Sequence, residues 1–136
     1  GSEMCIRDSG KIIVDITNPV DFSTFDDLLV PADSSAAAII ADKLPNSTVV
    51  KAFNTSFSET LATKKVSNKH QTTVLLASDS QQAKEQIFSA LEKSGLSLVD
   101  AGSLKRAREL EALGFLQISL AASEKISWNG GFGLFK

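Results

Sequence analysis

Two asparagines, in Asn18-Pro19 and Asn54-Thr55, each stand directly after an apolar, β-branched run. Such runs read as buried strands, and in open α/β sheets ligands bind outside the carboxyl ends of strands. Amide and hydroxyl groups at that edge can hydrogen-bond a cofactor without themselves transferring a proton. The most informative segment is Thr48-Val-Val-Lys-Ala-Phe-Asn-Thr-Ser56, a short strand that stops abruptly before a helix. Each polar pair also has a plain reading. Asn before Pro commonly opens a turn, and Asn54 and Thr55 can simply lead into a helix cap at Ser56. The ligand-facing reading gains because both pairs fall on one edge of one expected sheet.

Other chemistries find little support. Acid–base or nucleophilic catalysis needs a positioned His, Lys or carboxylate with a shifted pKa. The single His, His70, lies in the polar stretch Val66-Ser-Asn-Lys-His-Gln71 and reads as a solvated surface residue. With one Cys and one His, an internal disulfide is impossible and a zinc site lacks its usual ligands. Asp15 stands in mid-strand, where a carboxylate survives chiefly as a hydrogen-bonded structural partner, although a ligand-facing role stays open. Lys105, Arg106 and Arg108 read as a solvated helix face, with contact to a phosphate as the alternative. No catalytic residue and no metal ligand is assigned.

Four runs bounded by turn residues supply the expected strands: Lys11 to Thr17, Thr48 to Phe53, Thr72 to Ser78 and Leu96 to Ala101. The first is almost wholly apolar, as for a strand covered on both faces. Helical patterns lie between them. Ser34 or Ser35 can cap an Ala- and Ile-rich helix to Leu44, and Ser56-Phe-Ser-Glu59 has the form of a capping box. Asp79-Ser-Gln-Gln82 opens a helix to Lys93, which Gly95 ends. A last helix from Ser103 to about Ser123 carries Leu104, Ala107, Leu110, Leu113 and Leu116 or Gln117 at the helical period. Strand–helix alternation predicts an α/β fold, a mostly parallel sheet with helices on both faces. Val20 to Asp33 and the Gly- and aromatic-rich tail Trp128 to Phe135 are the irregular segments.

The 136 residues suffice for one domain, and a net charge of −2 gives no footprint for nucleic acid or an anionic membrane. No apolar run is long enough to cross a bilayer. With no signal peptide or disulfide framework, the expectation is a cytoplasmic protein. Gly1 to Ser9, which includes Cys5, has no periodicity and reads as a non-native or misjoined segment. No glycine-rich phosphate loop is present, because Gly130-Gly-Phe-Gly133 has neither a strand before it nor a helix after it.

These features together resemble the NADP oxidoreductases that act with the deazaflavin coenzyme F420, and the related reductase domain of the STEAP ferric reductases. The resemblance is carried by Ile13-Val-Asp-Ile-Thr-Asn-Pro19, Val49-Val-Lys-Ala-Phe-Asn-Thr55, Val74-Leu-Leu-Ala-Ser-Asp79 and Leu98-Val-Asp-Ala-Gly102, with Ala107 to Leu113 and Gly131-Phe-Gly-Leu-Phe135. It covers Lys11 to Lys136. It implies hydride transfer between NADP(H) and coenzyme F420 or a flavin, chemistry that the cofactors carry. It implies that Asn18, Pro19, Ala52, Phe53, Asn54 and Thr55 line the nicotinamide and the flavin-type ring, and that Gly131 and Phe132 lie near the second cofactor.

The departure from that family is the absent first half, with its G-x-G-x-x-G turn. Residues 10–136 are therefore expected to be the C-terminal part of an NADP-binding Rossmann-like oxidoreductase domain, one that binds no cofactor tightly and does not turn over alone. The first strand is expected to be an open edge that invites pairing into a homodimer. A different class of reading is a non-catalytic α/β module that dimerises through that edge. A third, a reductase of the pyrroline-carboxylate or phosphogluconate type, lacks its usual added helical domain.

Overall fold

The computed structural model describes residues 10–136; the segment 1–9 and its Cys5, read above as appended, lie outside them. The main sheet has four strands, β1 (Ile12–Asp15), β2 (Thr48–Ala52), β5 (Thr73–Ser78) and β6 (Ser97–Gly102), in the order β1-β2-β5-β6. All four expected runs form strands, with ends shifted by a residue or two. A further two-stranded ribbon, β3 (Lys65–Val66) with β4 (His70–Gln71), was not foreseen.

β1 runs parallel to β2, and β5 parallel to β6. The two pairs meet antiparallel, with Val50 opposite Ser78 and Ala52 opposite Leu76. The sheet is thus mixed, with mostly parallel pairing. The reversal follows from the connection. Helix α1 (Ala36–Lys43) carries the chain back from β1 to β2 as a crossover, whereas β2 leads into β5 through only helix α2 (Ser58–Thr63) and the ribbon. The carboxyl end of β2 consequently faces the start of β5.

Both faces of the central strands are packed. On one, Val50, Ala52, Val74 and Leu76 meet Ala83 of helix α3 (Gln81–Leu91), with Ile87 and Phe88 against them. On the other, Val49 meets Ala37 of α1, Leu104 of a 3-10 turn (Leu104–Arg106) and Ala107, the first residue of helix α4 (Ala107–Ala122).

Local chemistry sets the helix starts. Ser35 Oγ accepts from Ala38 N and Ser80 Oγ from Ala83 N, each satisfying a free donor of the first turn. The Ser56 capping box does not form. Helix α2 begins two residues later, after Phe57, with no side-chain cap bond. Ser103 likewise makes no cap bond, and Asp79 Oδ1 accepts from Leu104 N instead.

β1 departs from the reading of a strand covered on both faces. Its register along β2 puts Ile12 and Val14 on the face packed by α3, but the core under α3 is built from β2, β5 and β6 and takes in no residue of β1. Ile12, Val14 and Ile16 are 37%, 39% and 60% exposed. Among the described residues β1 pairs with β2 alone, so its outer edge is open.

Candidate functional site

The carboxyl ends of β1 and β2 are bound together by buried polar side chains. Lys51 stands in the middle of β2, wholly buried, and its Nζ lies 3.0 Å from Asp15 Oδ2 and 3.0 Å from Glu111 Oε2. It also donates to the Thr17 carbonyl at 2.5 Å. Asp15 Oδ1 accepts from Thr17 N at 2.9 Å and Thr17 Oγ1 at 2.7 Å, which shapes the chain leaving β1. Asp15 therefore has the structural role the sequence favoured, but its chief partner is a lysine on the neighbouring strand. A buried ion group survives only when its remaining lone pairs and protons are met, and here the backbone meets them.

Glu111 extends the network to a helix start. Its two carboxylate oxygens accept from Ala36 N at 2.7 Å and Ala37 N at 3.2 Å. The first turn of α1 is thus closed by Ser35 and by a carboxylate supplied from α4, at the positive end of the helix dipole.

Beyond this network lie Asn18 and Asn54, on one edge of the sheet as expected and bonded to each other. Asn54 Nδ2 donates to Asn18 Oδ1 at 3.0 Å and to the Leu110 carbonyl at 2.7 Å. Asn18 Nδ2 donates to the Asn54 carbonyl at 2.9 Å. Two acceptors around Nδ2 fix which way the Asn54 amide points. Its Oδ1 is buried and has no hydrogen-bond partner among the described residues. Gly114 of α4 closes over the pair, and a Cβ there would fall 2.3 Å from Asn18 Oδ1 and 3.0 Å from Asn54 Nδ2.

Between Ala52, fully buried at the end of β2, and Asn54 stands Phe53 at φ +67°. A bulky residue in the left-handed region is strained, and such strain gathers at binding and catalytic sites. Thr55 follows. Its carbonyl accepts from Gln117 Nε2 at 3.0 Å, while Gln117 Oε1 accepts from Phe132 N at 2.9 Å. One buried amide thereby ties the end of β2 to the C-terminal tail. Gly131, at φ +146°, makes the approach possible, since a Cβ there would lie 2.7 Å from Gln117 Oε1.

Under the tail lies an apolar cavity of about 240 Å³. Thr55, Thr73, Leu75 and Leu113 line it from the body, and Phe132, Gly133 and Leu134 from the tail. Of the residues singled out from sequence, Asn18, Asn54, Thr55, Gly131 and Phe132 converge on this end of the sheet. Pro19 contributes its carbonyl, which accepts from Leu29 N at 2.6 Å and holds the loop after β1. His70 is exposed and makes an edge-to-face contact with Phe135 at 5.4 Å. Arg106 pairs with Glu109 on the surface.

Lys51, Glu111 and Gln117 were missed. The signals were an ion within each of two adjacent apolar strands, and a Gln at a position of α4 where the helical period asks for an apolar side chain. Gln117, not Leu116, faces inward; Leu116 is half exposed.

No family model matches the chain. It is 32% identical to the metalloreductase STEAP3 of Rattus norvegicus over 127 residues, which is 93% of this chain and 24% of that protein. It is 30% identical to the F420-dependent NADP reductase of Methanocaldococcus jannaschii over 125 residues, 89% of this chain and 55% of that protein. A crystal structure described as a candidate F420-dependent NADP reductase from Arthrobacter sp. FB24 superposes with a TM-score of 0.83 at 26% identity, covering 97% of this chain and 60% of that one. A hypothetical protein from Sinorhizobium meliloti superposes at 0.62 with 25% identity, covering 76% and 51%. The chain thus spans between a quarter and about half of the length of the curated relatives it matches. Over nearly all of its own length, it has a Rossmann-like fold and is similar in sequence to an F420-dependent NADP reductase and to a STEAP metalloreductase.

Proposed function

We propose that residues 10–136 form the C-terminal, nicotinamide-side part of an NADPH-dependent oxidoreductase domain, in which a hydride passes between NADP(H) and coenzyme F420 or a flavin. The observation that carries this reading is the Asn54 amide. Both its N–H groups are engaged inside the protein, and its buried Oδ1 lacks a donor among the described residues. An unmet buried acceptor is unfavourable by roughly 1–3 kcal/mol, and a ligand bearing an N–H removes that penalty. The carboxamide of a nicotinamide and the ring N–H of a deazaflavin or flavin are both donors of this kind. The apolar cavity beside Thr55 offers the kind of surface on which such rings pack. When bound, the cofactors supply the hydride chemistry, and the chain's residues orient the rings and keep water out.

The phosphate end of a dinucleotide does not fit the described residues. The helix that follows β1 is where a pyrophosphate would be drawn, yet the Glu111 carboxylate already occupies its free N–H groups. The start of α3 is closed by Ser80. This chain alone is therefore expected to bind NADP weakly and not to turn over.

Calorimetry tests both ends. NADP and nicotinamide mononucleotide should bind with similar millimolar dissociation constants, and Asn54→Leu should weaken both. A micromolar constant for NADP with catalytic hydride transfer overturns this reading. Fusing the chain to the G-x-G-x-x-G half of a relative should restore NADPH oxidation, and a panel of deazaflavin, flavin and ferric acceptors then identifies the second substrate.

The exposed Ile12, Val14 and Ile16 on the open edge of β1 favour a second reading, a homodimer formed by antiparallel pairing of two such edges. Light scattering at high concentration should report a dimer, and Val14→Lys a monomer. A clean monomer of the unaltered chain counts against it.

A further inference from the structure

The cavity beside Thr55 differs in kind on its two sides. Its floor belongs to the packed body, at Thr55, Thr73, Leu75 and Leu113. Its roof is an irregular tail segment, and the roof's side chains are poorly seated. Phe132, Leu134 and Phe135 are 46%, 46% and 74% exposed. The volume of about 240 Å³ also falls short of the roughly 300–1,000 Å³ that ligand pockets usually occupy. A tricyclic ring needs the roof to lift.

The base of the tail is fixed. Trp128 packs on Phe57 with ring centroids 5.0 Å apart, and the Asn129 carbonyl accepts from Ser67 N at 2.8 Å. From Gly131 onward, among the described residues, the one hydrogen bond to the body runs from Phe132 N to Gln117 Oε1. The other end of that same amide holds the Thr55 carbonyl, at the cavity floor.

We propose that residues 131–136 are a strap that opens and closes over the apolar cavity, with Gln117 as its clasp and the Gly130-Gly131 step as its hinge. This rests on the ring-binding reading given above and adds how the site is gated. A single hydrogen bond of ordinary strength sets a population ratio of about ten-fold, so the clasp keeps the strap mostly shut yet lets binding energy open it. Gln117 is a positioning residue here, not a catalytic one.

The experiment uses the full chain and amide hydrogen exchange read by NMR. Two variants release the clasp from opposite sides. Gln117→Ala removes the acceptor, and Gly131→Ala forces a methyl group against it while leaving α4 untouched. In both, the Phe132 amide should exchange about ten-fold faster, with β2 and β5 amides unchanged. Riboflavin, a free tricyclic ring without phosphate, should then associate about ten-fold faster with Gly131→Ala than with the unaltered chain. Unchanged exchange at Phe132 in both variants overturns the strap. Faster exchange without any riboflavin binding supports the strap and overturns the ring-site reading on which its function rests.

Discussion

The end of β2 and the tail that faces it are two walls of one cavity, and they are held by opposite means. The β2 wall is wired from within. Lys51, Asp15, Glu111, Asn18 and Asn54 each make several short polar contacts, with the backbone that follows β1 and β2 and with that of α1 and α4, as well as with one another. The tail wall is apolar, half exposed and joined to the body by one hydrogen bond and the edge-to-face contact of Phe135 with His70. A buried polar network has one satisfied geometry and so fixes positions, whereas loosely seated apolar side chains tolerate rearrangement. The contrast separates a rigid surface that sets ring orientation from a yielding one that sets access.

The strongest way to break the contrast is to unwire the rigid wall. Lys51→Met leaves Asp15 and Glu111 buried beside each other without their cation, and should destabilise the fold by about 3–5 kcal/mol. Urea unfolding measures it; a loss below 1 kcal/mol in that experiment would mean the network is not holding β1, β2 and α4 together. A milder test presses on the asparagines. Gly114→Ala drives a methyl group into the Asn18–Asn54 pair and should cost about 1–3 kcal/mol, with amide shifts at Asn54 in NMR spectra. Unmoved Asn18 and Asn54 side-chain resonances would count against the close approach of α4.

The smallest effect sharpens the comparison with a pair near the surface. Lys84 Nζ of α3 lies 2.9 Å from Asp100 Oδ1 of β6, but the Asp100 side chain is 35% exposed. Burial pushes the Asp100 carboxyl up, and the Lys84 and Gly102 hydrogen bonds more than reverse this, leaving it below 3.8. A carboxylate depressed on folding adds stability that is fully present above its unfolded pKa and is lost as pH falls through the folded value. Asp100→Asn should therefore lower stability slightly at neutral pH and not at all well below pH 3.8. Equal losses at pH 7 and pH 2.5 in thermal unfolding would remove the charge from the explanation.

Much of the scaffold was legible because its signals are local. Four β-branched runs became strands, and Ser35 capped the helix it precedes, whereas in Asp79-Ser-Gln-Gln82 the cap is Ser80 and Asp79 turns to Leu104 N. The convergence of Asn18 and Asn54 was legible too, since parallel neighbours connected by a crossover helix must end on one edge. The antiparallel meeting of β2 and β5 was not, because strand direction depends on how the intervening chain packs. Ser56 failed as a cap for a related reason: Phe53 turns the backbone, and α2 starts only after Phe57. Glu111 was hidden among the charges of Arg106, Arg108 and Glu109, which look like one solvated face. Lys51 and Asp15 sat in plain view as two opposite charges in two apolar strands, and reading them together would have joined β1 to β2.

The reach of Glu111 also bears on how the chain is made. It caps Ala36 across 75 residues of sequence, so a ribosome releases β1, α1 and β2 long before it releases their last ion partner. Until α4 emerges, Lys51 must meet Asp15 without Glu111, and the first turn of α1 keeps two free N–H groups. β1, α1 and β2 are thus made well before their interior is complete, and in that interval water must cover the N–H groups that Glu111 later closes.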